Sequence, residues 1–575
     1  MKKYERQGFQ VPCRRSIELA LAVAGSAAAL VACGGDSRTE AQTVYKNGTV
    51  LTVDEKNTTA EAVAVHEGKI VAVGRSSEIE RMVGPNTTVI DLKGKTLIPG
   101  IYDAHSHVSA AGTIGLFEAN LNSPPISTVE NIEQMVELLK QQQAKVGPDG
   151  WVTGFGYDDT LLAEKRHPTR DDLDKVSTTQ PVYITHVSGH LSVANSFALA
   201  LAKITASTPN PPGGVIRKDA SGEPDGVLEE TAANLVGRFR PALTASQLQQ
   251  GVKYAGDLYA SQGVTTANEG AAAPGGVKAL EEAAQAGTFK IRVIAWPTLE
   301  AIEAVDAIAL KSKKVKIGGV KDFSDGSIQG YTGYLAEPYH TPFHGDPNYT
   351  GFPRYDRDIL AERVLKVHKS GRQAIIHANG DAAIADVLYA YRKAQQQFPR
   401  EDTRHVVIHS QMEREDQLDE MKALGVIPSF FVLHTYYWGD RHRDIFMGPE
   451  RAARISPTKS AKDRGLKFTI HTDTPVVPME PMRLIWSAVN RITTSGQVLG
   501  SEQRISPIDA LRATTINSAY ENFEEKERGS IEIGKWADFV VLSANPVSVD
   551  PMTIKDIKVL RTVVEGKTVY EATGL

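Results

Sequence analysis

Pro99-Gly100-Ile101-Tyr102-Asp103-Ala104-His105-Ser106-His107 reads as an apolar strand that ends in two histidines. Side chains two apart on an extended strand point to the same side, so the imidazoles of His105 and His107 can face one metal ion. A His-x-His tripeptide is common by itself, and this one gains weight from its place at a strand end. From there to about residue 513 the chain repeats a short apolar strand, a loop and a longer helical stretch rich in Ala, Leu, Glu and Lys. Further strands are expected to end at His186, Thr266, Phe323, His377, His409, Pro428 and His471. With the first they make about eight, the number that closes a parallel barrel, whose functional residues lie at the C-terminal strand ends. An open doubly wound sheet is the rival, but no Gly-rich phosphate loop follows the first strand.

Outside these repeats, residues 43–73 show strand-like alternation broken by Asn47-Gly48 and Glu67-Gly68, which read as hairpin turns. Residues 538–570 have the same character, with Phe539-Val540-Val541-Leu542 and a Glu565-Gly566 turn. Neither end holds enough strands to be stable alone. One β-sandwich composed of residues 44–98 and 515–575 is therefore the economical reading, against two unrelated β-units. The fold expected is α/β: a (β/α)8 TIM-like barrel over residues 99–514 plus a small β-sandwich domain built from both terminal segments.

At 575 residues the chain exceeds the size of a single core, which suits one large domain and a smaller one. A net charge of -5, with 41% hydrophobic and 23% charged residues, is ordinary for a globular protein and carries no basic excess for nucleic acid. Cys13 and Cys33 are the only cysteines, so the rest of the chain has no disulfide, thiolate ligand or cysteine nucleophile. Arg14-Arg15 precede an Ala-rich apolar run over residues 17–32 that stops at Leu30-Val31-Ala32-Cys33-Gly34-Gly35. This resembles a bacterial lipoprotein signal. It implies that residues 1–32 are removed, that Cys33 is lipidated, that residues 33–43 are a linker, and that the protein sits at the periplasmic face of a bacterial membrane by its lipid anchor. The run falls short of the roughly 20 apolar residues that span a bilayer. The paired arginines suggest twin-arginine export, although Cys13 and Glu18 depart from that motif's usual flanks.

Leu97-Ile98-Pro99-Gly100 followed by Asp103-Ala104-His105-Ser106-His107 resembles the first-strand signature of the amidohydrolase superfamily. Ser188-Gly189-His190, Gly226-Val227-Leu228-Glu229-Glu230, Lys321-Asp322-Phe323-Ser324-Asp325-Gly326-Ser327, His409-Ser410-Gln411 and Thr472-Asp473-Thr474-Pro475-Val476 are similar to its N-substituted formamide deformylase-like branch. They occur in family order from about residue 44 to the C terminus. The resemblance implies one or two divalent ions, Zn²⁺ first, held by His105, His107, His377, His409 and Asp473. Neutral imidazoles and a carboxylate suit such an ion and leave a position open for water. For Lys321 it implies carboxylation by CO₂ and bridging of two ions; the other reading is a strand-end lysine paired with Asp322 or Asp325, beside a single ion. Asp322 stands where the branch usually has an aliphatic residue, and Glu269 is a substitute acidic ligand.

Asp473 is then expected to act as general acid and base. His190 either polarises the substrate carbonyl and holds the oxyanion or is an exposed loop histidine. Glu230 shapes the substrate pocket or caps a helix. The aromatic run from Phe430 to Gly439, with His434, Tyr436 and Trp438, is a substrate wall at the barrel mouth or packing on its rim. Arg441-His442-Arg443 beside it reads as a solvated charge run. The reaction implied is hydrolysis of a C–N bond in a small N-acyl or N-formyl amide. Ester or lactam hydrolysis, deamination and phosphotriester hydrolysis would use the same centre. A catalytically silent periplasmic binding protein is the non-enzyme alternative, disfavoured by the complete ligand set. Homo-oligomerisation is left open.

Overall fold

The strand Ile101–Ser106 is buried along its whole length. It pairs in parallel with Val264–Gly270, which pairs with Arg292–Trp296, which pairs with Val315–Ile317. A second parallel sheet runs Val320–Phe323, Ala374–Ala378, Val406–His409, Ile427–Phe430, Thr469–Ile470. Near-continuous apolar runs are what parallel strands covered on both faces require. The two sheets are tied at both edges. At one, Thr298 bridges Lys321 in parallel and Lys321 N donates to Pro297 O at 2.9 Å. At the other, Asp473 N donates to His105 O at 3.0 Å and His107 N to Thr474 O at 2.8 Å.

The computed structural model describes residues 40–573. Cys13, Cys33 and the apolar run, and with them the expected signal peptide and lipidation, lie outside the described residues. Among the described residues no helix is long and apolar enough to cross a membrane.

The mixed α/β class expected from the repeats is present, but the strand bookkeeping differs. Val182–His186 belongs to a separate six-stranded mixed sheet, ordered Gly214–Lys218, Pro224–Glu230, Leu191–Ala194, Val182–His186, Val152–Tyr157, Ala119–Asn120. Arg292–Trp296 and Val315–Ile317, unassigned from sequence, stand in the parallel series instead. An apolar run says that a strand is buried and leaves open which sheet buries it.

The chain ends meet. Thr96–Pro99, which leads directly into Ile101–Ser106, pairs antiparallel with Phe539–Leu542 inside a six-stranded sheet. A four-stranded sheet of Lys69–Gly74, Ala62–His66, Thr43–Lys46 and Thr88–Asp91 shares a core with it through Tyr45, Val63, Leu97, Phe539 and Val563. Glu67-Gly68 and Glu565-Gly566 are hairpin turns with positive φ at both residues, 49° and 73° in one and 50° and 76° in the other, as a type I′ turn requires. Asn47-Gly48 is not one. It carries the chain from the four-stranded sheet to the six-stranded sheet.

The helix Val108–Phe117 starts directly after His107 and therefore fixes where that imidazole sits. It packs on Ala245–Ser261, whose N terminus is capped by the Thr244 side chain accepting from Gln247 N. The two helices touch backbone to backbone, since a Cβ on Gly112 would lie 1.9 Å from Gly251 O.

Candidate metal centre

Strand ends carry the donors. His105 lies on Ile101–Ser106 and is 1% exposed, His107 is the N-cap of the next helix, and Lys321, His377 and His409 lie on three neighbouring strands. Asp473 follows Thr469–Ile470. His105 Nε2 is 3.4 Å and His107 Nε2 3.5 Å from Asp473 Oδ1, and His409 Nε2 is 4.0 Å from Asp473 Oδ2. Lys321 Nζ is 3.4 Å from His105 Nε2. Two donors each about 2.1 Å from a tetrahedral ion stand roughly 3.4 Å apart, so these separations suit ligands that share an ion. Asp473 Oδ1 is buried with no hydrogen-bond partner among the described residues. A buried carboxylate oxygen without a donor is costly, and a cation relieves that cost. The residues present therefore fit a divalent metal. His409 and Asp473 both have positive φ, 74° and 56°, a conformation that costs a non-glycine residue about 1–3 kcal/mol and clusters at functional sites.

The remaining ring atoms show which nitrogen is free. His107 Nδ1 lies 2.9 Å from Gly270 O, and His377 Nε2 lies 3.1 Å from Gly326 O. A carbonyl only accepts, so each of those nitrogens carries the proton, and His107 Nε2 and His377 Nδ1 keep their lone pairs for a metal. The same Gly326 carbonyl also accepts from Asn379 Nδ2 at 2.9 Å. His409 Nδ1 shares a hydrogen bond with His471 Nε2 at 3.2 Å, and His471 Nδ1 one with Ser429 Oγ at 3.0 Å.

Burial pushes the imidazoles of His105, His377, His409 and His471 well below the ordinary histidine value, so they are neutral and available as ligands. Burial likewise takes Lys321 from 10.5 down to about 7, against the pull of Asp473 and Asp322. Asp322 itself pairs with Arg363 at 2.7 Å, and Asp325 accepts from the backbone N–H groups of Asn379, Gly380 and Tyr334. The reading of Lys321 as a lysine paired with either aspartate is thereby corrected. Burial also raises Asp103 to about 7 despite its hydrogen bonds from Thr472 N and Oγ1, at 3.1 and 3.0 Å.

A cavity of about 400 Å³ opens over the donors and is lined by His105, His107, Lys321, His377, His409 and Asp473. Its walls include Ile114, Phe155, His190, Glu230, Arg240 and Arg354. His190 Nδ1 meets Glu230 Oε2 at 3.0 Å. Burial alone would lower this imidazole, but the Glu230 carboxylate more than reverses that and its pKa is raised. Both residues thus face the cavity, rather than forming a loop histidine and a helix cap.

Several expected residues lie elsewhere. His434, Tyr436 and Trp438 sit on a helix, His434–Arg441, and do not line this cavity. Trp438 is buried with Nε1 donating to Asp158 Oδ2 at 3.0 Å, and Tyr436 packs edge-on against Trp486. Their aromatic surface is used in packing, which sequence alone cannot separate from a substrate wall. Arg441 pairs with the same Asp158 at 3.0 Å, and His442 is fully buried against Gln411, so that run is not a solvated face. Glu269 is committed to the helix after His107, accepting from Ser109 N at 3.0 Å. Sequence reasoning missed His471, Asp103, Asn379 and Arg354. Asp103 stood inside the first-strand motif and His471 at an expected strand end, whereas Asn379 and Arg354 gave no signal of their own.

The sequence profile of the amidohydrolase family matches residues 88–570. The N-substituted formamide deformylase of Arthrobacter pascens is 29% identical over 545 residues, spanning 92% of this chain and 98% of that protein. A putative amidohydrolase, YtcJ, of Bacillus subtilis is 28% identical over 543 residues, spanning 92% and 99%. The crystal structure of an uncharacterized metal-dependent hydrolase from Pyrococcus horikoshii has a TM-score of 0.70 at 25% identity, covering 88% of this chain and 99% of that one.

Proposed function

The chain belongs to the amidohydrolase family, and from that premise we propose that it cleaves the C–N bond of a small N-acyl or N-formyl amide at the His105/His107/His409/Asp473 centre. The carrying observation is the set of 3.4–3.5 Å separations between the imidazoles and Asp473 Oδ1. A divalent ion held there, Zn²⁺ first, supplies Lewis acidity and lowers the pKa of a water. Asp473, whose carboxylate lies at the mouth of the donor cluster, takes a proton from the attacking water and returns it to the leaving nitrogen. His190, held by Glu230, presents Nε2 to the carbonyl oxygen and donates to the charge that develops there. Lys321, at about 7, is roughly half the neutral amine at neutral pH, the form that reacts with CO₂, and once carboxylated it would add a carboxylate to the donors that could hold a second ion.

The same reading joins the two parallel sheets into one (β/α)8 barrel over residues 99–514, with Val315–Ile317 and Val320–Phe323 counted as one strand interrupted at Gly318-Gly319, supported by the hydrogen bonds at both their edges. It makes the terminal sheets one β-sandwich, supported by their shared core. Export with a lipid on Cys33 is supported by residues 14–35 of the sequence.

The test is to strip the full chain of metal, restore Zn²⁺ or Mn²⁺, and compare an N-formyl arylalkylamine with an aryl ester and an aryl phosphotriester. Amide turnover that disappears on chelation and returns with the ion is expected. Amide hydrolysis that survives exhaustive chelation, or a clear preference for the ester or the phosphotriester, overturns the proposal.

A further inference from the structure

One arginine in the cavity has no counter-charge among the described residues. Of the two arginines on its wall, Arg240 pairs with Glu118 at 2.8 Å. Arg354 has no carboxylate within ion-pair reach among the described residues, and its Nε is buried without a hydrogen-bond partner. Other buried guanidinium groups have their acceptors within the chain: Arg217 pairs with Glu229, Arg292 with Glu524, Arg363 with Asp322 and Arg528 with Asp538, and Arg491 donates to the carbonyls of Leu499, Ser456 and Ile455. An unpaired, partly desolvated guanidinium is expensive to keep, so its absent partner is expected to come from outside the chain.

Its position is fixed. Arg354 N donates to Ser324 O at 2.8 Å, and Gly213 packs on its carbonyl so closely that a Cβ there would lie 2.5 Å away. The guanidinium carbon stands 4.9 Å from the centre of the Phe323 ring, and Lys321 Nζ stands 5.2 Å from the same ring. The two cations are therefore no farther apart than the sum of those distances. His377 flanks that ring at 5.6 Å between centroids.

We propose that Arg354 anchors a carboxylate on the substrate, and that the amide cleaved is that of an N-acyl amino acid. This rests on the amide-hydrolase reading above. A guanidinium offers a planar fork of donors that matches a carboxylate in a bidentate pair. In an N-acyl amino acid the scissile carbonyl carbon and the carboxylate carbon are three bonds of about 1.3–1.5 Å apart, so at most about 4 Å. A bidentate pair adds roughly 4 Å between the carboxylate and guanidinium carbons. That span of roughly 8 Å lies within the limit that the shared Phe323 ring sets on the separation of Lys321 Nζ and the Arg354 guanidinium carbon. In the reaction, water oxygen bonds to the carbonyl carbon and the C–N bond breaks with its electron pair staying on nitrogen. A water proton ends on that nitrogen, releasing a carboxylic acid and an amino acid.

The experiment uses the metal-loaded full chain and two amides that differ only in the carboxylate, N-acetylphenylalanine as each enantiomer and N-acetyl-2-phenylethylamine. Wild-type kcat/KM is expected to favour one N-acetylphenylalanine enantiomer by at least about tenfold, and that ratio to fall roughly 10- to 100-fold in Arg354→Gln. Arg354→Lys, which keeps the charge and loses the fork, should fall between. Calorimetric binding of N-acetylphenylalanine should weaken by a similar factor in Arg354→Gln, with thermal melts confirming that the variant is folded. A wild-type ratio at or below one, a ratio unchanged in the variant, or binding that is absent or independent of Arg354 overturns the proposal. Binding that depends on Arg354 with neither amide cleaved leaves the carboxylate anchor standing and instead overturns the amide-hydrolase reading.

Discussion

Gly270 offers a test of the centre that leaves every donor in place. It ends the strand Val264–Gly270, and its carbonyl holds His107 Nδ1 at 2.9 Å. Its φ is not in the left-handed region, so alanine meets no backbone penalty there, and the effect of Gly270→Ala is contact alone. The added methyl would lie 2.3 Å from His105 Cε1, 2.9 Å from His105 Nδ1 and 3.2 Å from His107 Cε1. Carbon contacts settle at about 3.5–4.0 Å, so the His105 ring has to retreat by more than an ångström. That retreat has to be made among close neighbours, since Trp296 stacks at 5.9 Å on the ring and Lys321 Nζ lies 3.4 Å from Nε2. Ligand distances at a metal tolerate only ~0.2 Å, so the shift takes His105 out of the donor set. Overpacking of this kind costs about 1–3 kcal/mol of stability. Metal affinity should fall by at least the 10- to 100-fold that disturbed outer partners cause. The assay is metal per chain after dialysis, calorimetric titration of the apoprotein with Zn²⁺, and circular-dichroism melts. Wild-type stoichiometry and affinity in a folded variant would refute the placement of His105 and His107 on either side of this glycine.

Asp473→Asn keeps the shape and removes the proton acceptor. Turnover should drop by about 10²- to 10⁴-fold while the melting temperature stays close to wild type, and near-normal turnover would reject its acid/base role. Burial raises the Glu521 carboxyl from 4.5 to about 8, beside Thr469 Oγ1 at 2.8 Å, so the fold prefers its protonated form. The stability attached to it is present below pH 4.5 and is lost as pH rises through about 8, by up to ~5 kcal/mol at 1.36 kcal/mol per pH unit. Glu521→Gln should therefore flatten the fall in melting temperature between pH 5 and 9, and an unchanged slope would show that Glu521 is already ionised in the fold.

The donors were legible because each is a local event. His105 and His107 sit two apart at the end of an apolar run, and His377, His409 and Asp473 each close a strand, so a short window of sequence contained both residue and context. The turns at Glu67-Gly68 and Glu565-Gly566 were legible for the same reason, whereas Asn47-Gly48 has turn chemistry that looks the same whether its strands pair or part company. What sequence could not deliver was partnership across the chain. Asp103 holds Thr472 from 369 residues away, and Arg363 removes Asp322 from Lys321 across 41 residues. The aromatic run around Trp438 failed by the same rule, since its hydrogen-bond partner, Asp158, lies 280 residues distant.

This division between local and distant also separates chemistry from selectivity. The donors hang on the parallel strands, whose ends are rigid because both faces of the sheets are buried, and such ends suit a site that tolerates little displacement. The cavity walls come from other elements. Phe155 comes from Val152–Tyr157 and Glu230 from Pro224–Glu230, both in the mixed sheet, and His190 lies beside them. Arg354 comes from the segment before Arg357–Lys369, with its backbone against Ser324 and Gly213 and its guanidinium 4.9 Å from the Phe323 ring. Exchange of the mixed sheet or of residues 351–354 would therefore alter which amide is held and leave the donor set intact. A change such as Gly270→Ala does the reverse, because it presses on the imidazoles without touching the distant wall. Variants of the wall should accordingly move substrate ratios at constant metal content, and variants behind the donors should move metal content at constant substrate ratio in whatever activity remains.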